Sequence, residues 1–217
     1  MVECILCGGN TRDVINERTK EWYHRCIRCD LFFKNRSLIL PHDLEKKRYL
    51  LHNNSIEDDG YYHFLSHFLN QYLYPFIGKT SLGLDFGSGP NAVLCEIVKK
   101  EFSVEMNHYD PYFHNDISSL GLKYDFITST EVFEHFDDVK YNIELVIGLL
   151  KPGGVLAIMT LLHADLDEDI LKSHYIRDET HISIFGKQTI QYLCEQYQLV
   201  LVASDCNRNF TFKKANI

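Results

Sequence analysis

The sequence has no hydrophobic run long enough to cross a membrane and no excess of positive charge. Its longest clean apolar run, Val155–Leu162, falls far short of the ~20 residues that a membrane helix needs and instead predicts a buried strand. Acidic residues outnumber basic ones by 30 to 22, which gives a formal net charge of −8. The chain therefore lacks the broad basic surface that most nucleic-acid-binding proteins use.

The first thirty residues also lack the apolar stretch of a signal peptide, because charges and cysteines occupy its place. The 217 residues are 45% hydrophobic and 24% charged, which is typical of one globular domain with a small appendage. Three of the seven cysteines are scattered along the chain, as expected under reducing conditions: Cys95, Cys194 and Cys206. These features predict a cytoplasmic protein with no membrane partner.

The other four cysteines form two C-x2-C pairs with eighteen residues between the pairs. Two residues between cysteines let both sulfurs face one centre, and two such pairs supply the tetrahedral S4 shell that Zn²⁺ prefers. A disulfide framework or a redox dithiol fits less well because the scattered cysteines indicate reducing conditions. We therefore predict a structural zinc ribbon over residues 1–36, with strands at Val14–Glu17 and Trp22–Arg25 and with the ligands Cys4, Cys7, Cys26 and Cys29.

Residues 37–79 are predicted to form a linker and a helical cap. Ser55 is followed three residues later by an acid, which is the signature of a helix start. Aromatic and aliphatic residues then recur at helical spacing until Pro75. We expect this stripe to pack against the core, although Tyr61 or Tyr62 would also serve as the roof of a bound ligand.

After Gly78, strand and helix patterns alternate, which is typical of an open, largely parallel α/β sheet over residues 80–217. Only fourteen residues separate Asp110 from Asp125, too few for a helix and a strand, so one unit of the sheet is expected to be reduced or missing. We expect an antiparallel edge at the last strand. The predicted strands are Ser81–Phe86, Ser103–Tyr109, Tyr124–Ser129, Gly154–Thr160, Leu199–Ser204 and Asn209–Lys213, with helices at Asn91–Phe102 and Lys187–Tyr197 and another ending near Leu150.

A glycine loop follows the first strand of this domain. Gly87 and Gly89 allow a tight turn and a close approach of the backbone to a ligand. Asp110 lies 21 residues after Gly89, where an acid accepts hydrogen bonds from the ribose of an adenosine-containing ligand. Asp85 would repel a pyrophosphate and suits a cationic ligand instead. NAD fits less well because Ala92 stands where the last glycine of its fingerprint would fall.

Five short motifs stand in order along this domain: Asp85–Pro90, Tyr109–Pro111, Tyr124–Ile127, Glu131–Phe136 and Leu149–Gly154. Together they resemble the class I S-adenosylmethionine-dependent methyltransferases, and within them the ubiquinone-biosynthesis-type and related small-molecule enzymes. The resemblance runs from about residue 82 to the C-terminus. It implies a doubly wound, mostly parallel, Rossmann-like methyltransferase sheet of seven strands, to which the small N-terminal zinc ribbon is added.

The resemblance also implies S-adenosylmethionine as the cofactor. It places the methionine part in the glycine loop and the ribose on Asp110. Asn91 stands where the family often has a third glycine, and the short segment after Asp110 offers no clear acceptor for the adenine amino group. By resemblance, the cofactor-binding residues are Asp85, Phe86, Gly87, Ser88, Gly89 and Asp110, with Pro111 and Tyr112 beside the adenine and Thr130 and Glu131 facing cofactor and acceptor.

The acceptor side is expected to combine Glu131 and Glu134 with His135 and His181, of which His181 matches a family histidine. Three roles stay open for these residues. A histidine could act as general base, because imidazole titrates near neutral pH. All four could bind a divalent metal through nitrogen and oxygen. Glu134 and His135 could instead cap a helix and brace the sheet.

The expected function is methyl transfer to an oxygen, nitrogen or carbon atom of a small molecule. RNA base methylation is an alternative, because five basic residues cluster in and just after the ribbon: Lys20, Arg25, Arg28, Lys34 and Arg36. A non-catalytic cofactor-binding module is the third hypothesis, favoured by the short adenine side. The acceptor and the oligomeric state are open at this point.

Overall fold

The computed structural model describes residues 2–51 and 54–216. The strands are β1 (Thr11–Ile15), β2 (Trp22–Cys26), β3 (Phe32–Lys34), β4 (Leu82–Phe86), β5 (Glu105–Tyr109), β6 (Tyr124–Thr130), β7 (Leu150–Met159), β8 (Ser183–Ile184), β9 (Leu199–Ser204) and β10 (Asn209–Lys214). The helices are α1 (His42–Tyr49), α2 (Asp59–Tyr72), α3 (Val93–Phe102), α4 (Val139–Leu149), α5 (Asp167–Lys172), α6 (His174–Arg177) and α7 (Lys187–Tyr197). None of these helices is both long and apolar enough to cross a bilayer.

The larger sheet has the strand order β5-β4-β6-β7-β10-β9. Strands β5, β4, β6 and β7 run parallel, and β10 is antiparallel to both β7 and β9. This arrangement confirms the mostly parallel, Rossmann-like prediction. The described residues give six strands rather than seven, because the short segment after β5 holds only a 3₁₀ turn at Ile117–Gly121.

Strand β10 does not form the sheet edge that the sequence predicted. Its residues Phe210, Thr211 and Phe212 are all buried, whereas Val200 and Leu201 of β9 are exposed. A strand that is covered on both faces lies inside a sheet, so β10 inserts between β7 and β9, and β9 becomes the edge.

The smaller sheet, β1-β2-β3-β8, is antiparallel and belongs to the predicted ribbon except for its last strand. Strand β1 starts three residues earlier and ends two residues earlier than predicted. The hairpin turn already starts at Asn16, whose carbonyl accepts a hydrogen bond from the Lys20 N–H at 2.7 Å. Strand β8 was not predicted; its Ser183 pairs with Phe33 of β3. The ribbon thus completes its sheet with a strand from the C-terminal half. The division of the chain at residue 36 stays a prediction.

Helix α2 starts at Asp59 rather than at the predicted Ser55. The side chain of Asp58 accepts a hydrogen bond from the Tyr61 N–H at 2.9 Å and caps the helix. Ser55 instead closes the preceding turn, where its hydroxyl accepts from the Glu57 N–H. As predicted, the apolar face of α2 packs on the core through Leu65 and Phe68, among other residues.

Candidate active site

A cavity of about 620 Å³ lies at the carboxyl ends of β4, β5 and β6. In open α/β sheets this edge is where ligands bind. All ten residues predicted to bind the cofactor line it, together with His135 and His181. Glu134 does not line it. Helices α1 and α2 supply the opposite wall, which contains Tyr61. Of the two tyrosines considered above as a roof, Tyr62 does not line the cavity and donates a hydrogen bond to Glu101 instead.

The two glycines of the loop after β4 serve different purposes. Both have a left-handed backbone, with φ of +83° at Gly87 and +67° at Gly89. A Cβ on Gly87 would lie 2.4 Å from a methyl carbon of Val132, so packing inside the protein requires this glycine. A Cβ on Gly89 would meet nothing within 4 Å. Since Gly89 lines the cavity, that open space leaves room for the close approach of a ligand.

Asp110 holds the glycine loop and the loop after β5 together. Its Oδ2 accepts a hydrogen bond from the Gly89 N–H at 2.9 Å. Its Oδ1 accepts from the N–H groups of Tyr112 and Phe113, at 2.9 and 3.2 Å. A carboxylate has about four acceptor positions, so one stays available for a ligand hydroxyl. The sequence predicted the ligand role of Asp110 and missed this structural one.

The carboxyl group of Asp85 is buried beside the glycine loop, with 2% of the residue exposed. Its Oδ1 accepts a hydrogen bond from the Thr128 hydroxyl at 2.7 Å. Burial raises the pKa of Asp85 to about 7; the Thr128 hydrogen bond opposes the shift, and the negative charge of Asp110 adds to it. A cation in the cavity would favour the ionised form and lower this pKa again.

Glu131 follows β6 with a left-handed backbone, at φ +54°. For a residue with a side chain this costs roughly 1–2 kcal/mol, and such strain is concentrated at functional sites. Its Oε1 is buried without a hydrogen bond among the described residues, and Arg208 Nε lies 3.9 Å away. Burial and the neighbouring Glu134 raise the pKa of Glu131 to about 7. The sequence gave no signal for Arg208, which reaches Glu131 from the turn between β9 and β10.

Glu134 is fully buried behind the cavity. Its carboxylate accepts hydrogen bonds from the Tyr175 hydroxyl and, at 2.9 Å, from the Thr160 hydroxyl. Its backbone carbonyl accepts from the Ile182 N–H at 2.7 Å. Burial raises the pKa of Glu134 to about 7. These contacts match the bracing role considered for this residue.

The rings of His135 and His181 lie 4.7 Å apart. His135 Nδ1 is 3.0 Å from the Thr180 carbonyl, and His181 Nδ1 is 2.7 Å from the Tyr175 carbonyl. Because a carbonyl only accepts, each Nδ1 carries the proton and each Nε2 carries a lone pair. Burial lowers the pKa of both rings, to about 3 at His181, where His135 adds to the shift. Both histidines are therefore neutral at pH 7.

One ligand atom from each of Glu134, His135 and His181 lies within 4.8 Å of the others. Nitrogen and carboxylate donors at such separations suit a divalent transition metal. Glu131, the fourth residue considered as a metal ligand, does not belong to this cluster, and Asp138 rather than Glu134 or His135 caps α4. The geometry is thus compatible with a general base, with a three-residue metal site and with the bracing role.

Helix α1 contributes side chains to the cavity wall, which the sequence did not predict. Glu45 is buried, and its two carboxylate oxygens accept hydrogen bonds from the hydroxyls of Tyr49 and Tyr112, at 2.5 and 2.6 Å. The Tyr49 ring stands edge-on to His135, with 5.3 Å between centroids. Tyr112, predicted to flank an adenine, is thereby fixed to α1. In the sequence, Glu45 is one acid among several charged neighbours. That pattern is too common to indicate a buried residue or a cavity wall.

The four ribbon cysteines form a second cluster of ligand atoms. The Sγ atoms of Cys4 and Cys29 are 3.6 Å apart, and those of Cys7 and Cys26 are 3.4 Å apart. A tetrahedral zinc with Zn–S bonds of ~2.3 Å would set sulfurs about 3.8 Å apart. Backbone N–H groups donate to Sγ at three of these cysteines, as in a zinc knuckle. The donor set therefore fits a structural Zn²⁺.

Residues 58–204 match the family model described as a methyltransferase domain. The chain belongs to this methyltransferase family. The matched residues run from the cap of α2 to the end of β9 and so contain most of the cavity wall. The resemblance identified from the five sequence motifs is confirmed.

Parts of this chain are similar to known methyltransferases in sequence or in structure. The ubiquinone biosynthesis O-methyltransferase of Cronobacter sakazakii is 31% identical over 84 residues, 39% of this chain and 34% of the relative. The match thus spans about a third of the curated relative's length. The N-methyltransferase NodS of Bradyrhizobium japonicum, in complex with S-adenosyl-L-homocysteine, superposes with a TM-score of 0.50 at 16% identity over 79% of this chain and 97% of its own.

Phosphoethanolamine N-methyltransferase 2 of Haemonchus contortus, in complex with S-adenosyl-L-methionine, superposes with a TM-score of 0.51 at 15% identity, covering 71% of this chain and 40% of that one. At these identities the two structures establish the common fold alone. The fold is the one that the family membership implies.

Proposed function

We propose that this chain is an S-adenosylmethionine-dependent methyltransferase that acts on a small molecule. The observation that carries the proposal is the composition of one cavity. In a member of the methyltransferase family, ten residues predicted to hold the cofactor and two neutral histidines line the same space at the strand ends.

S-adenosylmethionine, when bound, supplies a methyl group on a positively charged sulfur. Asp110 would hold the ribose with its remaining acceptor position, while the N–H groups and open space of the glycine loop would receive the methionine part. Asp85 would face the positive charge of the ligand. These roles use the residues predicted from the sequence, at the positions where they line the cavity.

His135 is proposed as the group that takes a proton from the acceptor. It is neutral, and the hydrogen bond from Nδ1 to Thr180 leaves the lone pair on Nε2. His181 stands beside it with the same arrangement. Glu134 would then act indirectly, by joining the two turns that carry these histidines.

A divalent cation held by Glu134, His135 and His181 is the second candidate, favoured by the mutual approach of their ligand atoms. The metal would orient an acceptor hydroxyl in place of a base. Activity that survives extensive chelation, with the ribbon zinc still present by metal analysis, would contradict this candidate and support the proton-acceptor role of His135.

Charge favours a small acceptor over RNA. Among the described residues that line the cavity there are six carboxylates and no lysine or arginine, which is unfavourable for phosphate. Two of the five basic residues considered for RNA are also engaged within the protein. Arg25 pairs with Asp30 and Asp167, and Lys34 is buried against backbone carbonyls.

For the N-terminal region we propose a structural Zn²⁺ on Cys4, Cys7, Cys26 and Cys29. We also propose the division into residues 1–36 as ribbon, 37–79 as linker and helical cap, and 80–217 as the cofactor-binding domain. The cap would close the cavity with Tyr61 and the α1 side chains, because these already form its wall.

Calorimetry with S-adenosylmethionine tests the proposal. The intact protein should bind it at micromolar strength, and Asp110→Ala should abolish binding. Asp116→Ala is the matched control, because Asp116 is an exposed acid in the same loop that caps only a 3₁₀ turn. Undiminished affinity in Asp110→Ala would overturn the ribose assignment.

Since Asp110 also ties two loops together, a second variant separates ligand loss from unfolding. Gly89→Ala adds one methyl group in open space at positive φ, which should cost the fold roughly 1–2 kcal/mol. We expect it to lower cofactor affinity at least tenfold while the melting temperature falls by a few degrees.

A further inference from the structure

We propose that Lys34, on strand β3 of the ribbon, is a positioning residue that sets the imidazole of His135 for its role in the cavity. The significance of His135 rests on the proposed function, whereas the contacts that define the role of Lys34 do not. The inference gives the ribbon a part in building the acceptor side of the site.

Lys34 binds three carbonyl groups of the turn that carries His181. Its Nζ donates hydrogen bonds to the carbonyls of Asp178 and Glu179, at 2.7 and 3.1 Å. Its backbone N–H donates to the Ile182 carbonyl at 2.9 Å. Only 6% of Lys34 is exposed. One ribbon residue therefore fixes both ends of the turn 178–182.

The turn passes this constraint on to His135. Thr180, at the centre of the turn, accepts the hydrogen bond from His135 Nδ1 at 3.0 Å. On the opposite side, Ile182 N–H donates to the Glu134 carbonyl at 2.7 Å. The direction of the Thr180 carbonyl decides which imidazole nitrogen carries the proton. The orientation of the turn thus selects the form of His135 that has its lone pair on Nε2.

The chemistry of the lysine side chain suits this task better than that of an apolar tether. Burying an ammonium group is unfavourable unless charge-assisted hydrogen bonds compensate for it. Two successive carbonyls that both point at Nζ provide such bonds and are thereby held in one orientation. A methionine at position 34 would fill the same space and leave the two carbonyls without this donor.

The test uses the full-length, zinc-loaded protein, labelled with ¹⁵N-histidine, and the variant Lys34→Met. In the unmodified protein, imidazole NMR at pH 7 should show His135 protonated at Nδ1; the signal is assigned with His135→Gln. In Lys34→Met we expect loss of the Nδ1–H signal toward the Nε2–H tautomer. Amide exchange at residues 180–182 should become about tenfold faster.

Lys20→Met is the matched control, because it removes an exposed lysine of the same ribbon that pairs with Glu17. It should leave the His135 tautomer and the exchange rates unchanged. Lys34→Arg keeps charged donors and should restore the Nδ1–H signal at least in part. If Lys34→Met loses zinc or unfolds, Lys34→Gln replaces it. The glutamine keeps an uncharged NH2 donor group, so an intermediate tautomer shift is expected.

A His135 tautomer that stays the same in a folded, zinc-loaded Lys34→Met or Lys34→Gln protein would overturn the inference. The proposed function fails by a different measurement, the calorimetric titration with S-adenosylmethionine. Lys34→Met should bind S-adenosylmethionine as the unmodified protein does, because its contacts lie on the histidine side of the cavity. The two failures are therefore distinguishable.

Discussion

The carboxyl group of Asp85 combines burial with a place in the wall of a cavity proposed to receive a cation. Its pKa of about 7 lies above the ordinary value of 3.8, mainly because of burial. Between about pH 4 and pH 7 the folded protein therefore holds a proton that the unfolded chain has released. Asp85 thus lowers the free energy of unfolding as the pH rises through this window.

A cationic ligand should reverse that effect. Binding of S-adenosylmethionine lowers the pKa of Asp85, so at pH 6.5 it should release a fraction of a proton, and affinity should rise with pH up to about 7. Asp85→Asn should release less and should lose only the part of the fall in stability between pH 4 and 7 that Asp85 contributes, because the pKa values of Glu131 and Glu134 are also raised to about 7. Calorimetry in two buffers of different ionisation enthalpy measures the proton count, and equal release by both proteins would contradict the prediction.

Other residues of the site were predictable only in part. Gly89 could be predicted because it belongs to a short glycine motif after a strand. Asp110 could be predicted because its spacing from that motif is typical of an acid that binds ribose. Arg208, Glu45 and Lys34 reach the site from elements far along the chain. Their importance comes from contacts with Glu131, Tyr112 and Asp178 that no local pattern encodes.

At the scale of elements, the ribbon is joined to the rest of the protein through β3 and β8. Its buried residues Leu6, Leu31 and Phe33 belong to the same hydrophobic cluster as Leu84 and Phe185. The ion pairs of Arg12 and Arg25 with Asp167 add a second connection. Loss of the ribbon structure should therefore affect the whole molecule.

Metal removal tests this connection. Cys26→Ser should lose the zinc, expected at about one ion per chain, and should lower the melting temperature by roughly 10 °C or more, because a structural zinc contributes folding energy and 1 kcal/mol corresponds to ~2–4 °C at this size. Cys206→Ser, at an exposed cysteine in the turn after β9, is the control and should change neither quantity. A Cys26→Ser protein that keeps zinc, or loses it with no change in melting, would contradict the prediction.

Most elements could be predicted because each follows from local periodicity. Helix α7 and strand β9 have the predicted bounds, and the reduced unit after β5 follows from chain length alone. The two-residue strand β8 could not be predicted, since it exists only through its pairing with β3. The interior position of β10 likewise depends on which neighbours cover its two faces. Predicting that α2 starts later, at Asp59, would have required choosing Asp58 over Ser55 as its cap.

At the scale of the whole molecule, the negative charge of the protein should raise its affinity for a positively charged ligand. The chain carries a net charge of −8, and the described lining of the cavity is acidic without lysine or arginine. Such a cavity attracts a cation, and salt weakens the attraction by screening.

The sulfonium cofactor and its thioether product form a natural pair for measuring this effect, because they differ by one methyl group and one positive charge. Affinity for S-adenosylmethionine should fall when the salt concentration rises from 0.05 to 0.5 M, roughly as expected for screening of one charge, and affinity for S-adenosylhomocysteine should fall less. Calorimetric titrations at both salt concentrations give the comparison. Parallel salt dependence of the two ligands would contradict a role for the acidic lining.

The pairing of β3 with β8 also has a consequence for biosynthesis. Phe33 emerges from the ribosome about 150 residues before its partner Ser183. The hairpin proposed to bind zinc contains its own four cysteines and can close at once, but the strand β3 keeps an open edge until β8 has been translated. During that interval the nascent protein is exposed to wrong strand pairing, and slow or interrupted translation before residue 183 should make chaperone engagement most important.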